Sequence, residues 1–384
     1  PDMIKHLKNG DMLVLDLYSE TRPQWGDPES TWLRKEGFNG HDWAFCMLLN
    51  FGSNVGLYGK LQHVVDEYYK ARQSKFASTL KGVGLTMEGI ENNPIMYELV
   101  SELPWRNNKF GWQEWLNNYV EARYGNINNT KVHDAWMLLA RSVYGASDKV
   151  LEQGCHESVL CARPALDVYQ VSSWSEMEEF YNPDDVIRAA QLMVEASHEV
   201  KANANFRYDL VDITRQAIAE KARYVYAEIV AAYRAKDRKM FDYTTRRFLD
   251  IILQQDRLLS SIPDFMVGTW IRSARNLGTN TQESNHYEWN ARVQITTWGN
   301  RDAAEKGGLR EYAHKEWNGV LADFYYPRWK VYFEALADTF DGKPMKNIDF
   351  YAMDEAWTLK HNVYPYEAQG DAVEFAQKAA AEVL

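Results

Sequence analysis

Gly82-Val83-Gly84-Leu85-Thr86-Met87-Glu88-Gly89-Ile90 decides how the first part of the chain folds. A short apolar run with a β-branched residue ends on a carboxylate set between a Met and a Gly. Such a run reads as a strand, predicted over 83–87. A carboxylate at a strand end, before a residue that lets the chain turn, sits where barrel enzymes present reactive groups. Glu88 is the side chain of this stretch that can serve as acid, base or nucleophile. An N-cap or salt-bridged Glu opening a helix over 90–99 is the alternative reading of the same residue.

The pattern repeats outward from Glu88. Residues 12–18 and 43–51 read as near-continuous apolar strands, with a helix predicted over 57–71. Buried apolar strands alternating with helices imply a parallel sheet covered on both faces. Each strand ends on polar residues, Glu20, Asn50 and Glu88. Three strands are too few to close, so residues 1–108 read as part of a (β/α)8 barrel. From 109 to 384 the pattern turns helical. Val211, Ile218, Ala222, Val225, Ile229 and Ala232 form one apolar stripe. Asn182-Pro183-Asp184-Asp185 is a helix start, 238–260 and 321–338 read as helices, and Asp371 caps a last helix over 372–384. The fold class is therefore α/β plus all-α: part of a barrel followed by a large helical domain.

Composition narrows the function. The 384 residues carry a net charge of −11, which argues against nucleic acid as a partner. No apolar run is long enough for a membrane span. No metal-ligand spacing, P-loop, dinucleotide fingerprint or nucleophile elbow occurs, so no metal or cofactor is expected. Cys155 and Cys161 are spaced so that they could pair, whereas Cys46 reads as a core thiol. The 14 Trp, 23 Tyr and 15 Phe fit a packed helical core, and some could line a sugar site, because C–H faces of sugars stack on aromatic rings.

Several residues are candidates for such a site. Glu20 could partner Glu88 as the second carboxylate of a glycosidase pair, or simply bond within its own loop. Asn50, at a strand end, could exchange hydrogen bonds with sugar hydroxyls. In the helical part, Trp270, the polar and aromatic run 283–292 and Trp298 read as an irregular segment reaching over a neighbouring site. Trp270 and Trp298 would stack on the sugar, and Tyr287 and Arg292 would bond it. A domain-interface patch is the other reading of this cluster.

With these residues in view, the chain resembles the α-N-acetylglucosaminidases of glycoside hydrolase family 89. The resemblance is carried by Leu13-Val14-Leu15-Asp16-Leu17, by Cys46-Met47-Leu48-Leu49-Asn50-Phe51-Gly52-Ser53-Asn54 and by Met87-Glu88-Gly89-Ile90. It continues through Phe206-Arg207-Tyr208-Asp209-Leu210, Thr214-Arg215-Gln216-Ala217, Thr297-Trp298-Gly299 and Tyr325-Tyr326-Pro327-Arg328-Trp329. It implies a retaining exo-glycosidase acting on glycans with terminal α-linked N-acetylglucosamine, such as heparan-sulfate-like or mucin-type glycoconjugates, with Glu88 as nucleophile. The family's general acid/base, a Glu following an Asn, has no counterpart in this chain and is expected upstream of it. The N-terminal half of the same enzyme is accordingly the expected partner, and this chain alone is expected to be inactive. Phe45 and Ser53 depart from the family pattern, where Trp and Gly are more usual. Extracytoplasmic localisation is a further implication: bacterial periplasmic or secreted, or lysosomal. A retaining glycosidase of different sugar specificity and a non-catalytic carbohydrate-binding or scaffolding remnant are the competing readings.

Overall fold

Three parallel strands lie side by side in chain order: β1 (Leu13–Asp16), β2 (Asp42–Met47) and β3 (Leu80–Leu85). The computed structural model describes residues 6–26, 37–52, 54–89, 92–125, 127–146, 157–172 and 180–384. Cys155 and Ser53 lie outside the described residues; Cys161 and Cys46 are buried free thiols.

The strands are shorter than the apolar runs predict, because hydrogen-bonded pairing, not hydropathy, sets their ends. Val14 pairs with Trp43, and Phe45 with Val83, so β2 is paired on both sides. Apart from half-buried Asp42, β2 is buried throughout. β1 is not the buried strand the sequence suggests. Leu13, Leu15 and Leu17 are each more than half exposed, while Val14 turns inward. Side chains at spacing two project from one face of a sheet, so these leucines mark an apolar face of the sheet that the described residues leave open.

Helix α1 (Leu61–Gln73) connects β2 to β3, burying Leu61, Val64, Val65 and Tyr68. The helix predicted from residue 90 starts later, as α2 (Pro94–Glu102), with Pro at its first turn and Asn93 before it. Glu88 therefore lies outside a helix N-terminus. The rest is helical: α3 (Trp112–Tyr124), α4 (Thr130–Arg141), α5 (Pro183–Val200), α6 (Ala204–Arg234), α7 (Arg238–Leu259), α8 (Val267–Arg275), α9 (Thr281–Gln294), α10 (Tyr326–Phe340), α11 (Phe350–Thr358) and α12 (Ala372–Val383). α5 begins as the sequence predicts, with the Asn182 side chain accepting from Asp184 N, and Asp371 caps α12. The stripe from Val211 to Ala232 lies on α6 and is buried. No helix among the described residues is long and apolar enough to cross a membrane.

Run 283–292 corrects the sequence reading. It is not irregular but forms most of α9. Asn280 accepts from Glu283 N and starts the helix, and Arg292 pairs with Glu288 one turn earlier. Its apolar residues are too sparse to show a stripe, so capping and ion pairing define this helix rather than hydrophobic period.

α6 joins the helical region to the sheet. Arg215 is fully buried and pairs through Nη2 with Asp212 and through Nη1 with Glu316, at 2.7 Å each, while Nη2 also donates to Val55 O. The next residue, Gln216, accepts from Leu57 N at 3.0 Å. Burial works against the Arg215 charge, but the two carboxylates outweigh it and hold the guanidinium above its usual range. Asp212 is pushed up by the same burial and pulled back by Arg215.

Candidate active site

Glu88 stands at the carboxyl ends of the strands, three residues past β3. Thr86 ties those ends together. Its N–H donates to Met47 O at 2.9 Å, and its hydroxyl lies 2.7 Å from Leu17 O. The Glu88 carboxylate is exposed and, among the described residues, held through one oxygen. Oε2 accepts from Gly52 N–H at 2.6 Å and from the Tyr312 hydroxyl at 2.7 Å. One donor comes from the sheet region and the other from the helical region, so the carboxylate is oriented only where both regions meet.

Gly52 makes that meeting possible. Its φ is +65°, and a Cβ built there would lie 1.8 Å from Tyr312 O. Only a residue without a side chain lets the two backbones approach this closely. On the helical side, Glu311 has φ +58° and its N–H donates to Thr296 O at 2.8 Å. Its buried carboxylate pairs with Arg328. Together these contacts set the path of the chain through Tyr312. Burial first, and then the Glu88 contact, hold the Tyr312 phenol above its ordinary pKa. It therefore remains a hydroxyl donor at neutral pH.

A cavity of about 530 Å³ opens over Glu88, lined also by Gly52, Gly89, Trp270, Gln294, Ile295, Trp298, Tyr312, Ala313, Lys315 and Trp317. Trp298 meets Tyr312 edge to face at 5.1 Å, and Trp270 lies 6.1 Å from Trp317. Trp270 is fixed by its indole N–H, which donates to Ala291 O. Exposed and half-buried indole faces around a carboxylate suit a sugar ring. Among the described residues no group of three His, Cys, Asp or Glu side chains could hold a metal ion.

The structure brings together three of the seven residues singled out from the sequence: Glu88, Trp270 and Trp298. Asn50 is buried beneath the loop, its amide donating to Asn54 O at 3.1 Å, and it does not line the cavity. Arg292 is fully buried, paired with Glu288 and lying over Trp357. Tyr287 is on α9 beside His286, away from the cavity. Glu20 does not face Glu88 as a partner. Its Oε1 accepts from Leu48 N at 3.0 Å and Leu49 N at 2.8 Å. Burial pushes its pKa up to about 8, against the pull of those N–H groups and of Lys60.

Gly52, Tyr312, Lys315 and Trp317 escape a sequence reading. Gly52 shows as a turn residue, but its contact lies 260 residues on. Tyr312, Lys315 and Trp317 belong to no periodic segment.

Comparison with known proteins decides the family. Residues 115–382 match the α-N-acetylglucosaminidase (NAGLU) C-terminal domain, and residues 1–107 match the NAGLU tim-barrel domain. The chain belongs to the α-N-acetylglucosaminidase family. Human α-N-acetylglucosaminidase is 33% identical over 376 residues, covering 96% of this chain and 48% of that protein. The chain thus spans about half the length of the curated relative it matches. A family 89 glycoside hydrolase from Clostridium perfringens, in complex with 2-acetamido-1,2-dideoxynojirmycin, superposes with a TM-score of 0.89. It is 31% identical, and the match covers 98% of this chain and 42% of that one. A variant of the clostridial enzyme with two glutamates changed to glutamine, in complex with its substrate GlcNAc-α-1,4-galactose, superposes at 0.88, again with 31% identity, covering 96% and 41%. The three-stranded sheet with α1 and α2 is accordingly a portion of the family's barrel, and the helices from α4 on belong to its C-terminal domain.

Proposed function

We propose that the chain carries the nucleophile of a retaining exo-glycosidase that releases terminal α-linked N-acetylglucosamine. The observation that carries this reading is the Glu88 carboxylate, exposed at the strand mouth and, among the described residues, fixed through Oε2 under an aromatic-walled cavity. In this mechanism Oε1 attacks the anomeric carbon and the glycosidic oxygen leaves with a proton from a general acid. Water then displaces Glu88 from the glycosyl-enzyme, giving up a proton to the same residue. Gly52 N–H and the Tyr312 hydroxyl keep the carboxylate from rotating away from its line of attack. Trp270 and Trp298 bind the sugar face. The relative captured with a GlcNAc-α-linked disaccharide, and its paired Glu→Gln changes, support both the sugar and the use of two carboxylates.

The general acid/base belongs to the N-terminal half of the same enzyme, the partner of this chain. The exposed stripe of Leu13 and Leu15 on β1, with Leu17 just past it, is the surface that half would cover. Glycan substrates of the heparan-sulfate or mucin type, outside the cytoplasm, complete the proposal. With the upstream half supplied, aryl α-GlcNAc should be hydrolysed, and a fluorinated glycosyl donor should label Glu88 covalently. Glu88→Gln should lower turnover by more than about 10³-fold. Labelling at another carboxylate, or turnover that survives Glu88→Gln, would end the assignment.

A further inference from the structure

We infer that Glu20 is a positioning residue for Glu88, acting through the backbone of residues 48–52. The inference rests on the reading of Glu88 as nucleophile. Glu20 follows β1 and is 2% exposed. Its Oε1 accepts from two consecutive backbone N–H groups, those of Leu48 and Leu49. Leu49 has φ +70°, and Asn50 N donates to Leu48 O at 2.9 Å. This is a three-residue turn with left-handed φ at its centre, a rare and strained form. A leucine there is strained by the crowding of its Cβ against the backbone. Such strain persists only where the surroundings over-determine it, and the Glu20 carboxyl supplies that constraint at the first and central residues of the turn.

The consequence reaches Glu88 within three residues. After the turn, Gly52 presents its N–H to Glu88 Oε2. Gly52 cannot relax outward, because Tyr312 O closes the space beside its Cα. The direction of that N–H is therefore set at the start of the loop, by Glu20, and at its end, by the helical region. Glu20 is itself anchored: His63 Nε2 lies 2.8 Å from its carbonyl oxygen, and the buried Lys60 bonds the next side chain, Thr21. A buried carboxyl with both N–H contacts on one oxygen has a bracing geometry, and it lies outside the cavity walls.

The test uses the chain together with its upstream half, on an aryl α-GlcNAc. Glu20→Ala should lower kcat by about 10²-fold, the cost of a misplacement near 1 Å, with KM unchanged within about threefold. Glu20→Gln keeps an oxygen for both N–H groups and should stay within about fivefold of wild type. Adding Leu49→Gly to Glu20→Ala should recover about tenfold, because Gly adopts the left-handed turn without strain. A kcat for Glu20→Ala within threefold of wild type overturns the inference, as does a double variant no better than the single one. Should Glu20→Ala not fold, Glu20→Asp carries the test. Its shorter carboxylate should speed amide exchange at residues 48–52 about tenfold, with α6 and α7 unchanged; equal exchange at 48–52 overturns the inference. A wild-type protein that hydrolyses nothing refutes the glycosidase reading, while the exchange comparison still decides the brace.

Discussion

The two regions of this molecule bury their apolar surfaces differently. In the helical region the stripe of α6 is covered by α5, α7 and α12 of the same chain, and Phe248, Trp329 and Phe333 pack ring against ring. In the sheet region β2 is enclosed, yet Leu13 and Leu15 of β1, and Leu17 just past it, are open. Helices complete their hydrogen bonds internally and need only neighbours for one face. A parallel strand needs partners at its edges as well. The site lies at the junction, and each region supplies one donor to Glu88.

Three changes would break or sharpen that contrast. The largest effect is expected at Arg215, where the regions are joined. Arg215→Ala leaves Asp212 and Glu316 buried without their cation and frees Val55 O. Removing one partner of a buried pair costs about 3–5 kcal/mol, readable by denaturant titration. A loss below about 1 kcal/mol would show that the two regions hold together by other contacts.

Gly52→Ala comes next. It combines an unfavourable φ with a collision against Tyr312 O, and should cost about 2 kcal/mol. Turnover should fall about 10²-fold, because the sheet-side donor moves off Glu88. An active Gly52→Ala protein of wild-type stability would mean that the close approach of the two backbones is dispensable.

The smallest effect is a pH dependence. Burial raises Glu20 to about 8 in the sheet region, and Glu157 and Glu220 to about 7 in the helical region. These acids bind more protons folded than unfolded between about 4.5 and those values. Each therefore stabilises the fold at the acid end of the window and loses that contribution as pH rises through it, by ~1.4 kcal/mol per pH unit at most. His314, lowered to about 4 by burial, acts oppositely between about 4 and 6.5. The melting temperature should fall from pH 6.5 to 8, and Glu20→Gln should flatten the slope. A melting temperature that rises over this interval would contradict the buried, protonated state of these acids.

Much of the fold was legible in the sequence because it follows from local period. The α6 stripe, the Asn182 start of α5 and the Asp371 cap of α12 are written in adjacent residues. α9 was not legible: its polar surface hides a helix set by the Asn280 cap and the Glu288–Arg292 pair. Arg292 shows the same limit in the site. From sequence it is a free cation beside aromatics, whereas folding buries it against Glu288, one turn away on the same helix.

The sequence by itself determined that a carboxylate would stand at the end of a strand, and that a helical domain would follow the sheet. Apolar period and turn chemistry act over a few residues and need no tertiary information. Only the tertiary structure decided what that carboxylate touches. Tyr312 lies 224 positions beyond Glu88 in the chain, and Gly52 meets Tyr312 across the junction. Glu20, readable as a second catalytic acid, turns its oxygen to the Leu48 and Leu49 N–H groups instead. Hydrogen bonds have a reach of about 3 Å, so a group's role depends on which distant backbone packing brings within that distance.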